Sequence, residues 1–153
     1  MASDLERING WLLLADPLFI DQLATLENQV RALKQKHPDS FQTKAPTKRL
    51  LAIRKLIKEV IPSDPNGLQF KLGNTLGPEN RHWFRAKFLQ QYRLFFRFDS
   101  QSKIIIFCWV NDDQSLRAYE SKDDAYLVFK QMLDSGHPPQ TWVELLERAS
   151  SLE

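Results

Sequence analysis

The sequence predicts an α+β fold, with strands and helices segregated along the chain. Three observations carry that prediction. Helical apolar spacing fills two early segments, strand-period alternation fills residues 83–111, and two capped helical segments follow. They predict a twisted antiparallel sheet with two N-terminal helices packed on one face and extra C-terminal helices, as a single domain over residues 1–153. The other face of the sheet is expected to stay open at its centre.

The elements follow in order. Ile8 to Leu14 is expected as a short strand whose Trp11-Leu12-Leu13-Leu14 run can bury both faces. Asp16 and Pro17 are an N-cap and a first helical residue, and Phe19, Leu23, Leu26, Val30 and Leu33 follow at helical spacing. His37-Pro38 ends that helix. Pro46 opens a second one, running to about Ile61 and stopped by Pro62, with Leu50, Ile53, Ile57 and Ile61 as its inner stripe. On its other side Lys44, Lys48, Lys55 and Lys58 fall within about an 80° arc. That strip is either a solvated helix face or a second set of phosphate contacts.

Phe70 to Leu72 is expected to begin a short strand, followed by a turn-rich connection to Asn80. Three strands then span about Trp83–Phe88, Tyr92–Phe98 and Lys103–Asn111, joined by hairpin-length links, and the last is apolar on both faces as a central strand should be. Ser121-x-x-Asp124 resembles a capping box for a helix built on Tyr126, Phe129, Met132 and Leu133, with Gly136 as its stop. Thr141-x-x-Glu144 is a second box, opening a short helix with Trp142, Leu145 and Leu146 inward.

Charge concentrates on the middle strands. From Arg81 to Phe98 there are five cations, seven aromatics and no acid. Alternation along a strand puts Arg85 and Lys87 on one face, and Arg93 and Arg97 likewise, so neighbouring strands offer four cations to one surface. Such a surface is either a footprint for a polyanion, nucleic acid above all, or a solvated strand face.

Composition narrows the class. With 42% hydrophobic and 26% charged residues the chain is globular rather than disordered, and a net charge of +2 implies no partner by itself. Positive charge nevertheless gathers between Lys44 and Arg97. The single cysteine, Cys108, lies in the apolar run Ile104–Val110 and suits a buried, inert thiol. His37, His82 and His137 are scattered without metal-ligand spacing, so neither a metal nor another cofactor is expected. That seven-residue run is the longest apolar stretch, too short to span a membrane, and Met1–Arg7 lacks a signal pattern, making the cytoplasm the default.

Several motifs resemble one family. They are Asn9-Gly10-Trp11, Lys44-Ala45-Pro46-Thr47-Lys48, Trp83-Phe84-Arg85-Ala86-Lys87-Phe88, Tyr92-Arg93-Leu94-Phe95-Phe96-Arg97 and Trp109-Val110-Asn111-Asp112. Leu116-Arg117-Ala118-Tyr119, Asp124-Ala125-Tyr126 and Gly136-His137-Pro138-Pro139 complete the set. In order and spacing they resemble the RelE superfamily of bacterial toxins, and within it the YhaV-type toxins that pair with PrlF antitoxins. The resemblance spans nearly the whole chain. It implies a RelE-like α+β fold and an endoribonuclease that cuts messenger RNA without a metal, on the ribosome in many relatives. It also implies an antitoxin partner, and operator DNA bound by the toxin–antitoxin complex.

Metal-free RNA cleavage needs a base for the 2′-hydroxyl, donors for the pentacoordinate phosphate and an acid for the leaving 5′-oxygen. The resemblance implies that Lys87 is the base, Arg85 grips phosphate and Arg93 meets transition-state charge, with Tyr119 as acid or base-stacking platform. Arg97, Arg81, Lys48 and Lys55 are the expected RNA-backbone contacts. One departure stands out, because Asn111-Asp112-Asp113 occupies the turn where RelE-like toxins carry an arginine. Either Arg117 takes over that role or Asp113 supplies a carboxylate as base. Arg85→Ala is expected to abolish toxicity with the fold intact, as befits an exposed strand cation. Two other classes stay open: a nucleic-acid-binding module without catalysis, and a toxin of the same fold directed at a protein such as gyrase.

Overall fold

The computed structural model describes residues 7–118 and 124–152. Its first element is a hairpin rather than one strand: β1 (Arg7–Ile8) and β2 (Trp11–Ala15) are joined by Asn9 and Gly10, with φ of 53° and 83°. Two successive positive φ angles are what a tight hairpin with right-handed twist demands, and Asn-Gly supplies them. Helix α1 (Pro17–Lys36) starts as expected, with the Asp16 carboxylate accepting from Leu18 N–H at 3.1 Å. Phe19 and Leu26 are buried, while Leu23 and Val30 pack against the same core.

Helix α2 (Ala45–Lys55) runs into a π turn, Leu56–Val60, and a last helical turn, α3 (Ile61–Ser63). The expected stop at Pro62 is therefore corrected. A proline in a regular helix drives its ring into the carbonyl four residues back. Here Ile61 N–H bonds to Leu56 O, five residues back, and that wider turn makes room for the ring. The stripe Leu50, Ile53, Ile57 and Ile61 is buried as predicted.

Residues 68–70 form a 3₁₀ turn, and the strand expected at Phe70–Leu72 shrinks to one bridge between Lys71 and Phe84. Strands β3 (Phe84–Phe88), β4 (Tyr92–Asp99) and β5 (Ile104–Val110) follow close to their expected limits. Helices α4 (Ala125–Asp134) and α5 (Trp142–Arg148) and a short strand β6 (Ser150–Ser151) complete the order. The sheet runs β1-β2-β5-β4-β3, with β6 also on β2.

The sheet is mixed, not antiparallel throughout, because β2 pairs parallel to β5. A parallel neighbour requires a long crossover, and the chain between β2 and β5 provides one. Asp124 itself caps α4, accepting from Tyr126 N–H, whereas Ser121 lies outside the described residues. Thr141 caps α5 through Glu144 N–H as predicted, and Gly136, at φ 94°, terminates α4.

Neither face of the sheet is open. On one side α1 and α2 bury Trp11, Leu13, Phe96 and Phe107. On the other, α4 and α5 cover Trp83, Phe95, Ile106 and Trp109. Phe129 of α4 stacks on Phe95 at 4.1 Å and on Trp109 at 5.6 Å between centroids. The physical reason is that Phe95 and Trp109 share a face with the cations, and that much aromatic surface drives burial by several kcal/mol in sum, about 2 kcal/mol per large side chain. Among the described residues no helix is long and apolar enough to cross a membrane.

Candidate active site

The strand alternation does bring Arg85, Lys87 and Arg93 to one face: Lys87 is the register partner of Arg93, and Arg85 lies two residues further along β3. What the covering helix adds is Tyr126, in the first turn of α4. Its hydroxyl accepts from Arg85 Nε at 2.8 Å and from Arg93 Nε at 3.0 Å. The Arg117 guanidinium lies over the Tyr126 ring, 4.7 Å from its centroid. Asp124 holds this third cation through an ion pair to Arg117 Nη1, and the same carboxylate accepts from Ala118 N–H at 2.7 Å. The helix cap and the cluster thus share one residue.

Each strand arginine is anchored by a second edge. Arg85 Nη1 donates to the carbonyls of Gln69 and Lys71, at 3.0 and 3.1 Å. Arg93 Nη1 donates to those of Gln90 and Tyr92, both at 2.8 Å. The remaining nitrogen of each, Nη2, makes no bond among the described residues, and neither Nη2 is sealed from solvent. Each fork therefore keeps one donor without a partner among the described residues, and the exposed Lys87 stands opposite Arg93 on the neighbouring strand. Among the described residues three guanidiniums gather around Tyr126 while one carboxylate, Asp124, pairs with Arg117 alone, an excess of positive charge that suits a phosphodiester.

Burial changes what Arg85 does for the fold. It is only 9% exposed and Arg93 only 7%, so neither is the exposed strand cation the alternation suggested. Arg85→Ala is expected to leave the Gln69 and Lys71 carbonyls and the Tyr126 hydroxyl without their donor. That should cost about 2–3 kcal/mol, read as a lowered midpoint in denaturant unfolding. An unchanged midpoint would show that the anchoring bonds contribute nothing.

The other predicted residues are dispersed. Asp113 does not join the cluster. It accepts from Arg49 at 3.0 Å and from the Tyr92 hydroxyl in a short hydrogen bond, on the opposite side of β4 from Arg93. Burial, then the bond to Asp113, pushes the Tyr92 hydroxyl above its ordinary pKa and keeps it a donor. Arg97 is half-buried, donating to Gln140 O at 2.6 Å with its guanidinium 5.5 and 5.6 Å from the ring centroids of Trp83 and Trp142. Arg81 is exposed and donates to Asn74 Oδ1, and Lys48 and Lys55 are exposed on α2. His82 bonds to Gln140, and burial is the main cause that lowers its pKa. Tyr119 lies outside the described residues.

Comparison with known proteins gives this geometry a context. Residues 13–150 match a family model, Toxin_YhaV, described as "Toxin with endonuclease activity, of toxin-antitoxin system". The chain belongs to the YhaV toxin family. The Toxin YhaV of Escherichia coli O6:H1 is 44% identical over 144 residues, covering 93% of this chain and 94% of that one. The Ribonuclease toxin YhaV of Escherichia coli K12 is 44% identical over 142 residues, covering 92% of each. Membership implies an antitoxin partner for this YhaV-family chain. The residue that its sequence did not single out as functional is Tyr126, which patterns as the first apolar position of a helix stripe. Its hydroxyl was the available signal, since a buried tyrosine needs a polar partner where phenylalanine needs none.

Proposed function

We propose that this protein is a RelE-like ribonuclease toxin, a metal-independent endoribonuclease that cleaves messenger RNA. The observation that carries it is the pair of anchored guanidiniums, Arg85 and Arg93, which share the Tyr126 hydroxyl and keep one Nη2 each without a partner among the described residues. In this reading the Lys87 side chain, as its unprotonated amine, takes the proton from a ribose 2′-hydroxyl, and the 2′-oxygen attacks the adjacent phosphorus. Arg93 and Arg85 bind the non-bridging oxygens as charge builds on them, with Arg117 adding to the field. The bond from phosphorus to the 5′-oxygen breaks, and the leaving oxygen takes the Tyr126 proton. The phenolate so formed is held by the two Nε donors already in place. Products are a 2′,3′-cyclic phosphate and a 5′-hydroxyl.

Arg117 takes over the arginine role in this scheme and Asp113 is not the base, while Tyr126 takes the acid role that the resemblance implied for Tyr119. Arg81, Lys48 and Lys55 remain RNA-backbone contacts, while Arg97 supports the fold. Family membership supports the rest: a PrlF-like antitoxin that neutralises the toxin by direct binding, joint repression of their operon at operator DNA, and a cytoplasmic substrate on or off the ribosome. The test is incubation of purified protein with a messenger RNA transcript in excess chelator, with the new ends mapped. Cleavage leaving cyclic phosphate and 5′-hydroxyl ends is expected. Growth arrest on induced expression with intact RNA would instead favour a protein target, and neither effect would favour a binding module.

A further inference from the structure

The turn between β3 and β4 puts residues with a Cβ where a tight hairpin needs positive φ. With Phe88 paired to Tyr92, the loop is three residues long, Leu89-Gln90-Gln91, and contains no glycine or asparagine. Leu89 has φ 44° and Gln90 has φ 66°, both in the left-handed region that disfavours residues with a Cβ. Gln91 N–H bonds to Leu89 O at 2.8 Å, which closes a γ-turn around Gln90 of the rare, strained sign. Leu89 is also 48% exposed, so its side chain gains little from packing. On stability alone a glycine would serve better here.

The strain is held by the active-site cluster itself. Arg93 Nη1 grips Gln90 O, Asn111 Nδ2 donates to Gln91 O at 3.0 Å, and Arg117 N–H donates to the same Gln91 carbonyl at 2.9 Å. The tip is therefore rigid, and it presents one apolar side chain two residues from Lys87 and four from Arg93. Single-stranded RNA lying on those cations has bases that must splay away from the scissile phosphate, and apolar side chains inserted at such points unstack or cover bases. Resting on the ribonuclease reading above, we propose that Leu89 is a base-contacting wedge that sets where a single-stranded RNA is cut. RNA is favoured over an antitoxin segment because the tip is bonded to Arg93 and Arg117, the cations that meet phosphate in that reading.

The test compares wild type with Leu89→Gly and Leu89→Asn, both residue types that accept a left-handed φ. Two probes are used, a labelled single-stranded RNA of mixed sequence and a ribodinucleoside monophosphate. For both variants the melting temperature is expected at or above that of wild type, because strain is relieved. KM for the long RNA should rise about tenfold and its cut-site pattern should broaden, while cleavage of the dinucleoside is unchanged. An unchanged KM and cut pattern would overturn the wedge, as would a variant whose only defect is weaker antitoxin binding. Wild-type protein that cleaves neither probe overturns the ribonuclease reading and the wedge together, so the two failures are distinguishable.

Discussion

Arg93→Lys is expected to lower RNA cleavage by about 10³-fold although it preserves the charge. A lysine has one nitrogen where Arg93 has three: Nε on Tyr126, Nη1 on the Gln90 and Tyr92 carbonyls, and Nη2 without a partner among the described residues. An ammonium at that depth can meet the turn carbonyls or the substrate, not both, so transition-state donors are lost while ground-state attraction persists. The defect should therefore fall on kcat with little change in KM. Stability should drop by only about 1–2 kcal/mol, because part of the carbonyl bonding is retained. Single-turnover cleavage well below the melting temperature separates the two effects. A rate within tenfold of wild type would remove Arg93 from the chemistry.

Much of the fold was legible because its signals are local. Asp16-Pro17 and Thr141-x-x-Glu144 fixed two helix starts through capping chemistry that needs no tertiary context. The alternation of β3 and β4 placed Arg85, Lys87 and Arg93 on a common face correctly. Asn9-Gly10 carried a hairpin signal that a window spanning Ile8 to Leu14 smoothed over. The π turn before Pro62 was not legible, since it depends on how a helix already packed on the sheet absorbs a proline.

The covering of the second face was the larger miss, and its sign was present in the sequence. A strand apolar on both sides, as β5 is, cannot serve a sheet with one open face. Phe95 and Trp109 point the same way as the cations and needed a partner layer, which Phe129 and its helix provide. That layer also explains why the site was half-seen. The strand arginines follow from period-two alternation, whereas Tyr126 and Arg117 reach them only by tertiary docking of α4. Asp113 is near in sequence to Arg117, yet it is drawn to Arg49 and Tyr92 on the other side of β4.

Tyr126→Phe tests that docking at a single atom. The ring remains, and with it the edge contact to Phe95 at 5.7 Å, so the helix should stay seated. Removing the hydroxyl leaves Arg85 Nε and Arg93 Nε without an acceptor, at a cost of about 1–3 kcal/mol in stability. Cleavage should fall by about 10²–10³-fold, the range for loss of a general acid. A purely structural hydroxyl would also lower the rate, through misplaced guanidiniums, and the leaving group separates the two cases. With sulfur in place of the 5′-bridging oxygen, departure needs no proton. On that substrate Tyr126→Phe should recover to within about tenfold of wild type if the hydroxyl is the acid. If the defect persists in full, Tyr126 acts by positioning Arg85 and Arg93, and the proton must come from elsewhere. Arg93→Lys serves as the control: its missing donors act on the phosphate rather than on the leaving oxygen, so the sulfur substrate should not rescue it.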